Sequence, residues 1–500
     1  MGNTELDTLS ASEIARLVKS KKLSAIEVTQ AAIDRIESRN PDLNAVIYSD
    51  FDGAKNRARD LDSRIIRGET VGDLAGVPTL MKDLFDFRPG WPSTFGGIPA
   101  LKDYVPDFWS TYPKRVERQD AILLGKTNAP VMGFNGATDN PLFGVTRNPF
   151  DLSRNSGGSS GGSAAAVSSG LVPVAGASDG GGSIRIPASW CGIAGFQPSF
   201  GRVPMVMRPN AFGGISPFIY EGPVARCVDD LALVMNALAG YDAADPLMNP
   251  EPVDFLACIK TPSLKGKRIG YTRDFSVFPV EEAVVACVDE AVAAFSAAGA
   301  VVEEIDIGLP FSQQELSDLW CRLISAGPCS VIASLQEAGV DLLVDYRDQL
   351  PDALVYWTEI TSRQSFADMQ ADQVMRTRVF DAFANVFSTV DLVISPTTAT
   401  LPVKNRGDGR TTGPAVINGV NITPQIGWCM TYLTNLIGHP AASVPAGMSA
   451  GLPIGLQIIG RRHADTQVMQ ACASFERVRP WAHIYDPRKR FLTTNANSMQ

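Results

Sequence analysis

The sequence predicts one large α/β domain, and three observations lead there. Five hundred residues, 45% of them apolar, can bury a large core. Strand-like apolar runs are mixed with helix-patterned stretches from one end to the other, the signature of α/β layers. Average domain size alone would favour two or three domains, but no linker divides the chain. Its Gly- and Ser-rich stretches alternate with apolar runs, whereas a flexible tether would be polar throughout.

Two capping boxes open the chain, Ser10 with Glu13 and Ser24 with Glu27, each followed by apolar residues at helical spacing. The second helix puts Val28, Ala32 and Ile36 on one face and is expected to stop near Asn40 and Pro41. NAVIYS is a short strand, a helix of mixed charge follows, and AGVPTLMKD reads as a turn entering a buried strand. Residues 114–127 pass from a charged helix into the apolar strand AILLGKT. Its GKT is no phosphate loop, because Asp120 stands where that motif requires glycine. Residues 163–169 are small and helix-compatible, Gly170 closes them, and Leu171 to Ala175 form the following strand. In GGGSIRIPAS, Pro187 and the β-branched isoleucines oppose a helix. Farther on, KRIGYTRD is a strand, EEAVVACVDEAVAAFSAAG a long amphipathic helix and AVVEEIDI a strand. Residues 311–385 are mostly helical, and DLVISP, SVPAG and LPIGLQIIG supply further strands, with no internal repeat.

The net charge of −9 argues against a nucleic-acid surface, which needs clustered Lys and Arg. The basic runs KSKK (residues 19–22) and RKR (residues 488–490) are short and separate, as at solvated ends. No uncharged run of about 18 apolar residues suggests a membrane span. The start MGNTELDTLSASE lacks the basic head and apolar core of a secretion signal. Eight irregularly spaced cysteines without a CxxC, Cys191 and Cys429 among them, read as reduced core residues of a cytoplasmic protein.

Only three histidines are present, His439, His463 and His483, with no HExxH, so neither a metal site nor a Ser-His-Asp machine is well supported. His439, in GHPAASVP, is the one closest to a functional loop. The GxSxG pattern occurs at Ser159 and Ser178, but in so Gly- and Ser-rich a stretch it is nearly free. A nucleophile elbow also requires a helix after its turn. Without histidine a serine nucleophile needs another base, and a lysine made neutral by burial can serve. Lys82, after the apolar Val77 to Met81, and Lys126, after AILLG, are the candidates, and spacing does not choose between them.

With these residues in place, the chain resembles the amidase signature family. The family's signature appears as the Gly- and Ser-rich stretch from Gly157 to Pro204, GGSSGGSAAAVSSGLVPVAGASDGGGSIRIPASWCGIAGFQPSFGRVP. The resemblance continues upstream in AGVPTLMKD, LLGKTNAPVMGF and GVTRNPFDLSR, and downstream in EGPVAR, DLVISPT and NLIGHPAASVPAG to GLPIGLQIIGR. It covers most of residues 10–480 in order and implies a central mixed, twisted sheet covered by helices on both faces. The signature core would be residues 75–225 of a single domain spanning residues 1–500, with the helical residues 311–385 modulating specificity. The resemblance also implies Ser183 as nucleophile, Ser159 as the bridging serine after a cis Gly158–Ser159 peptide, and Lys82 as base. Gly180, Gly181, Gly182 and Ser183 would offer their N–H groups to the carbonyl oxygen as it becomes anionic. Asp179 and Arg185 would brace the loop. Ser160 and Ser163 would bond within the first loop, either one assisting Lys82. Two departures from the family are Ser156 in place of proline and Val131 in place of an acidic residue.

Substrate preference must come from outside the signature. MVMRPNAFGGISPFIYEGP (residues 205–223) carries Phe212, Phe218 and Tyr220, IGWCMTYLTN adds Trp428 and Tyr432, and Met132 and Phe134 follow a strand. A pocket drawn from these favours an apolar or aryl amide, anilide-like, with esters and carbamates as side substrates. The expected partners are a small-molecule amide and water, with no cofactor, metal, nucleic acid or membrane, and a homo-oligomer is compatible with the sequence. Two other readings are the glutaminase component of a tRNA-dependent amidotransferase and a non-enzymatic scaffold.

Overall fold

The computed structural model describes residues 6–208 and 210–485; the RKR run, the first five residues and Pro209 lie outside the described residues. Eleven strands make one sheet: β1 (Val46–Ser49), β2 (Pro78–Lys82), β3 (Ile122–Thr127), β4 (Val174–Asp179), β5 (Ala194–Gln197), β6 (Tyr220–Ala225), β7 (Arg268–Tyr271), β8 (Val301–Glu304), β9 (Leu392–Pro396), β10 (Ala441–Ser449) and β11 (Leu452–Gly460). Their order is β1-β3-β2-β4-β6-β5-β10-β11-β9-β7-β8. β2 runs parallel to β3 and β4, and β7 runs parallel to β8 and β9, while the remaining pairs are antiparallel, so the sheet is mixed. Every residue of β2, β3, β6 and β11 is buried. Alternate strand residues face opposite sides, so both faces of the sheet are covered. The outermost strands β1 and β8 expose residues, as do the ends of β7 and β10 at Arg268 and Met448.

Both N-terminal capping boxes form, with the Ser10 and Ser24 side chains accepting from the amides of Glu13 and Glu27. Helices Gln313–Ile324, Ala326–Glu337, Asp352–Ser362 and Phe366–Phe387 fill the stretch read as helical. Among the described residues no helix is long and apolar enough to cross a membrane.

Three local expectations are corrected. The helix from Ala25 continues through Pro41 to Leu43, because Pro41 falls in its last turn and Asn44, in the left-handed region, closes it with its N–H on the Asn40 carbonyl. The strand expected at residues 171–175 lies at 174–179, because Pro173 has no N–H to give a sheet and the small AGASD continues the buried run. Residues Arg185–Trp190 are helical after all: Pro187 sits in the first turn, where a missing N–H costs nothing. Strand, tight turn and helix therefore do follow one another here, with Ser183 in the turn.

Candidate active site

β2 and β4 run parallel and end side by side, and the carboxyl ends of such strands are where α/β sheets gather ligands. Lys82 closes β2, and Ser178 and Asp179 close β4. The Lys82 side chain is 1% exposed. Its Nζ is 2.7 Å from Ser159 Oγ and 3.0 Å from Ser178 Oγ. Ser159 follows a cis Gly158–Ser159 peptide just ahead of helix Gly161–Ser168. Burial brings the lysine pKa down from 10.5 to about 7, against the opposing pull of Asp86 and Asp179. A neutral Nζ offers a lone pair to the Ser159 hydroxyl while an N–H donates to Ser178. Asp86 accepts the Lys82 backbone N–H at 2.9 Å, and burial pushes its carboxyl up.

The expectation that Ser160 or Ser163 assists the lysine is corrected. Ser163 Oγ bonds Thr127 Oγ1 and the Gly176 carbonyl, both at 2.7 Å, and Ser160 Oγ is taken up by the backbone of Ser178. Ser178 holds the place instead. The sequence did carry a sign of it, a polar Ser-Asp pair ending an otherwise apolar strand.

Ser183, half-buried, lies in the turn between β4 and helix Arg185–Trp190. The Ser160 N–H donates to the Ser183 carbonyl at 3.3 Å, which joins the two serine loops. Asp179 and Arg185, both fully buried, form a two-pronged ion pair with both contacts at 3.0 Å. Arg185 also donates to Thr431 O, Thr434 Oγ1, Asn435 Oδ1 and Gln457 Oε1. Burial pushes the Asp179 carboxyl up, but Arg185, Asn435 and the Ile184 amide outweigh it and hold the group below its usual range.

Asp179 also takes the Gly182 N–H, so the expectation that Gly182 serves as an oxyanion donor is corrected: its amide is already spent. Among the described residues the amides of Gly180, Gly181 and Ser183 have no acceptor. The carbonyl of Gly180 accepts from Trp320 Nε1 at 2.8 Å and that of Gly181 from Thr431 Oγ1 at 2.7 Å.

Of the two candidate lysines, only Lys82 meets a serine of the loop. Lys126 is equally buried but paired with Asp83 at 2.8 Å and bonded to the Pro92 carbonyl. His439 stacks on Phe387, with Nδ1 on the Gly460 carbonyl.

The residues read as pocket lining divide. A Cβ on Gly133 would fall 3.3 Å from Ser159 Oγ, so the Met132–Phe134 turn runs over the bridging serine. Phe134 stacks on Trp320, and Trp320 lies beside the buried Tyr432. Trp428, Phe218 and Tyr220 are corrected, because they pack on scaffold. Trp428 is fully buried, stacked on Trp190 with its N–H on Pro424. Phe218 stacks on Phe200 beneath the Arg376 guanidinium, Tyr220 is buried with its hydroxyl on the Thr434 carbonyl, and Phe212 is 59% exposed. Sequence reasoning missed Trp320 and Thr431, which stand about 140 and 250 residues from the glycines they touch.

Known proteins resemble the chain over nearly its whole length. The family model described as Amidase matches residues 27–469. The chain is 34% identical over 488 residues to an acylamidase of Rhodococcus erythropolis, covering 96% of this chain and 98% of that one. It is 32% identical over 494 residues to a glutamyl-tRNA(Gln) amidotransferase subunit of Carboxydothermus hydrogenoformans, covering 94% and 97%. Among solved structures, a bacterial aryl acylamidase belonging to the amidase signature enzymes family superposes with a TM-score of 0.94 at 52% identity, covering 96% and 98%.

Proposed function

The chain belongs to the amidase signature family and is an amide hydrolase, and from that premise we propose that it cleaves apolar or aryl amides of the anilide type through an acyl-enzyme on Ser183. Neutral Lys82 takes a proton from Ser159 while Ser159 takes one from Ser183, and Ser183 Oγ bonds to the amide carbon. The carbonyl electrons move onto oxygen, where the free N–H groups of Gly180, Gly181 and Ser183 meet the charge. When the C–N bond breaks, the amine leaves with a proton returned through Ser159, and Ser183 keeps the acyl group as an ester. Water then attacks that ester through the same relay, releasing the acid and free Ser183.

The observation that carries this reading is the 2.7 Å contact between Ser159 Oγ and a lysine whose burial brings it to about neutral pH. The 52% identity to an aryl acylamidase supports the substrate class, as do Phe134 and Trp320 beside the glycine loop. Esters and carbamates fit the same route and are proposed as secondary substrates. The eight cysteines all stand as free thiols, which supports a reducing, cytoplasmic setting. A glutaminase role within a tRNA-dependent amidotransferase is the second reading, favoured by the 32% identity to a component of such an enzyme. Turnover of an acetanilide against L-glutamine decides between them.

The mechanism is tested by labelling with a fluorophosphonate acyl-serine trap. Wild type should label and Ser183→Ala should not. Undiminished labelling of Ser183→Ala rejects the nucleophile.

A further inference from the structure

We propose that Trp320, carried by helix Gln313–Ile324, is a positioning residue for the oxyanion cradle, its indole N–H fixing the Gly180–Gly181 peptide so that the Gly181 N–H faces the reacting carbonyl. The inference rests on Ser183 being the nucleophile.

The Gly180 carbonyl and the Gly181 N–H belong to one planar trans peptide and so point in opposite directions. Trp320 Nε1 holds that carbonyl at 2.8 Å, which aims the N–H away from the helix. The neighbouring peptide is consumed on both sides: its carbonyl takes Thr431 Oγ1 and its N–H goes to Asp179. The Gly180–Gly181 peptide differs in having its carbonyl anchored and its N–H free. Such a fixed donor serves catalysis because it need not reorient as charge develops.

Packing enforces the same geometry. A Cβ at Gly181 would lie 2.7 Å from three atoms of the Trp320 indole, so the ring lies flat against a residue that has no room for a side chain. One turn farther along the helix, Ile324 Cδ1 would stand 3.0 Å from a Cβ at Gly180. A glycine run is free to turn its peptides either way, and this helix face removes that freedom. Phe134 stacks on the same indole, with ring centres 5.9 Å apart. A helix remote in sequence thereby becomes part of the catalytic centre.

The test is Trp320→Phe, which keeps a ring against Gly181 but loses the N–H. We expect kcat on an acetanilide to fall about ten- to a hundredfold while KM stays within about threefold, as for a group that acts on the transition state alone. Affinity for a trifluoromethyl ketone, whose adduct with a serine bears the oxyanion, should fall by a similar factor. Wild-type kcat in Trp320→Phe overturns the proposal, as does a rise in KM with kcat unchanged, which marks mere packing against substrate. If Trp320→Phe does not fold, replacing Trp320 with β-(3-benzothienyl)alanine, which puts sulfur in place of the N–H at nearly the same shape, is read by the same outcomes. Persistent trap labelling of Ser183→Ala would instead remove the nucleophile assignment on which this rests, so the two failures are told apart.

Discussion

A lysine can act as a base only where its ammonium is costly, and Lys82 sits in such a place. It is sealed at the end of a buried strand, with two serine hydroxyls and no touching carboxylate on its nitrogen. Lys126 is as deeply buried, yet its nitrogen is taken by an aspartate at 2.8 Å and meets no serine, so burial alone does not put a lysine in the relay. With the Lys82 pKa brought down to about 7, kcat/KM should rise about tenfold per pH unit below neutrality and level off above it. A pH–rate profile on an acetanilide checks this, and activity undiminished at pH 5.5 would refute a neutral lysine. The same shift acts on folding: between about 7 and 10.5 the unfolded lysine binds a proton that the folded one does not, so in that window this group's contribution to stability improves as pH rises. Below about 7 both states are protonated and the contribution no longer changes.

The elements around the site show what could be read in advance and what could not. The capping boxes depend on contacts three residues apart, so Ser10 and Glu13 sufficed to place a helix start. Pro187 misled, because a proline forbids a helix interior but suits a first turn, and nothing in the local residues says which turn it occupies. The β4 boundary slipped for a similar reason: apolar content marked residues 171–175, whereas the sheet needed the N–H groups that begin after Pro173. The turn at Val131–Gly133 could not be located at all, since its place over Ser159 comes from tertiary packing. Gly133 has φ +70°, and its missing Cβ leaves room for Leu84 at 2.8 Å and Ser159 Oγ at 3.3 Å. Gly133→Ala should therefore cost about 1–2 kcal/mol from the left-handed backbone and displace the bridging hydroxyl. The expected result is a folded protein, by circular dichroism, with kcat lowered about tenfold or more. Wild-type kcat in that variant would mean that the turn does not hold Ser159 in place.

Across the whole molecule, one buried guanidinium joins the signature loop to the C-terminal third of the chain. Arg185 bonds Asp179 on one side and Thr431, Thr434, Asn435 and Gln457 on the other, tying the turn after β4 to the segment before β10 and to β11. The signature therefore cannot be a self-sufficient module, although it was the most legible part of the sequence: its loop is held by residues some 250 positions away, which no local pattern announces. Arg185→Met fills a similar volume but strands the Asp179 carboxylate in the interior, at a cost of about 3–5 kcal/mol. Calorimetry should show a clearly lower Tm at pH 7. With Arg185 gone, burial is opposed only by Asn435 and the Gly182 and Ile184 N–H groups and raises the Asp179 pKa, so on acidification from pH 7 towards 4 the folded variant takes up a proton that the unfolded chain does not yet bind. Its deficit against wild type should shrink over that range, since the wild-type Asp179, held below its usual value, stays ionised. Adding Asp179→Asn to Arg185→Met should recover part of the loss at pH 7. An unchanged Tm in Arg185→Met, or a deficit that grows as pH falls, would show that the ion pair does not hold the two parts of the chain together.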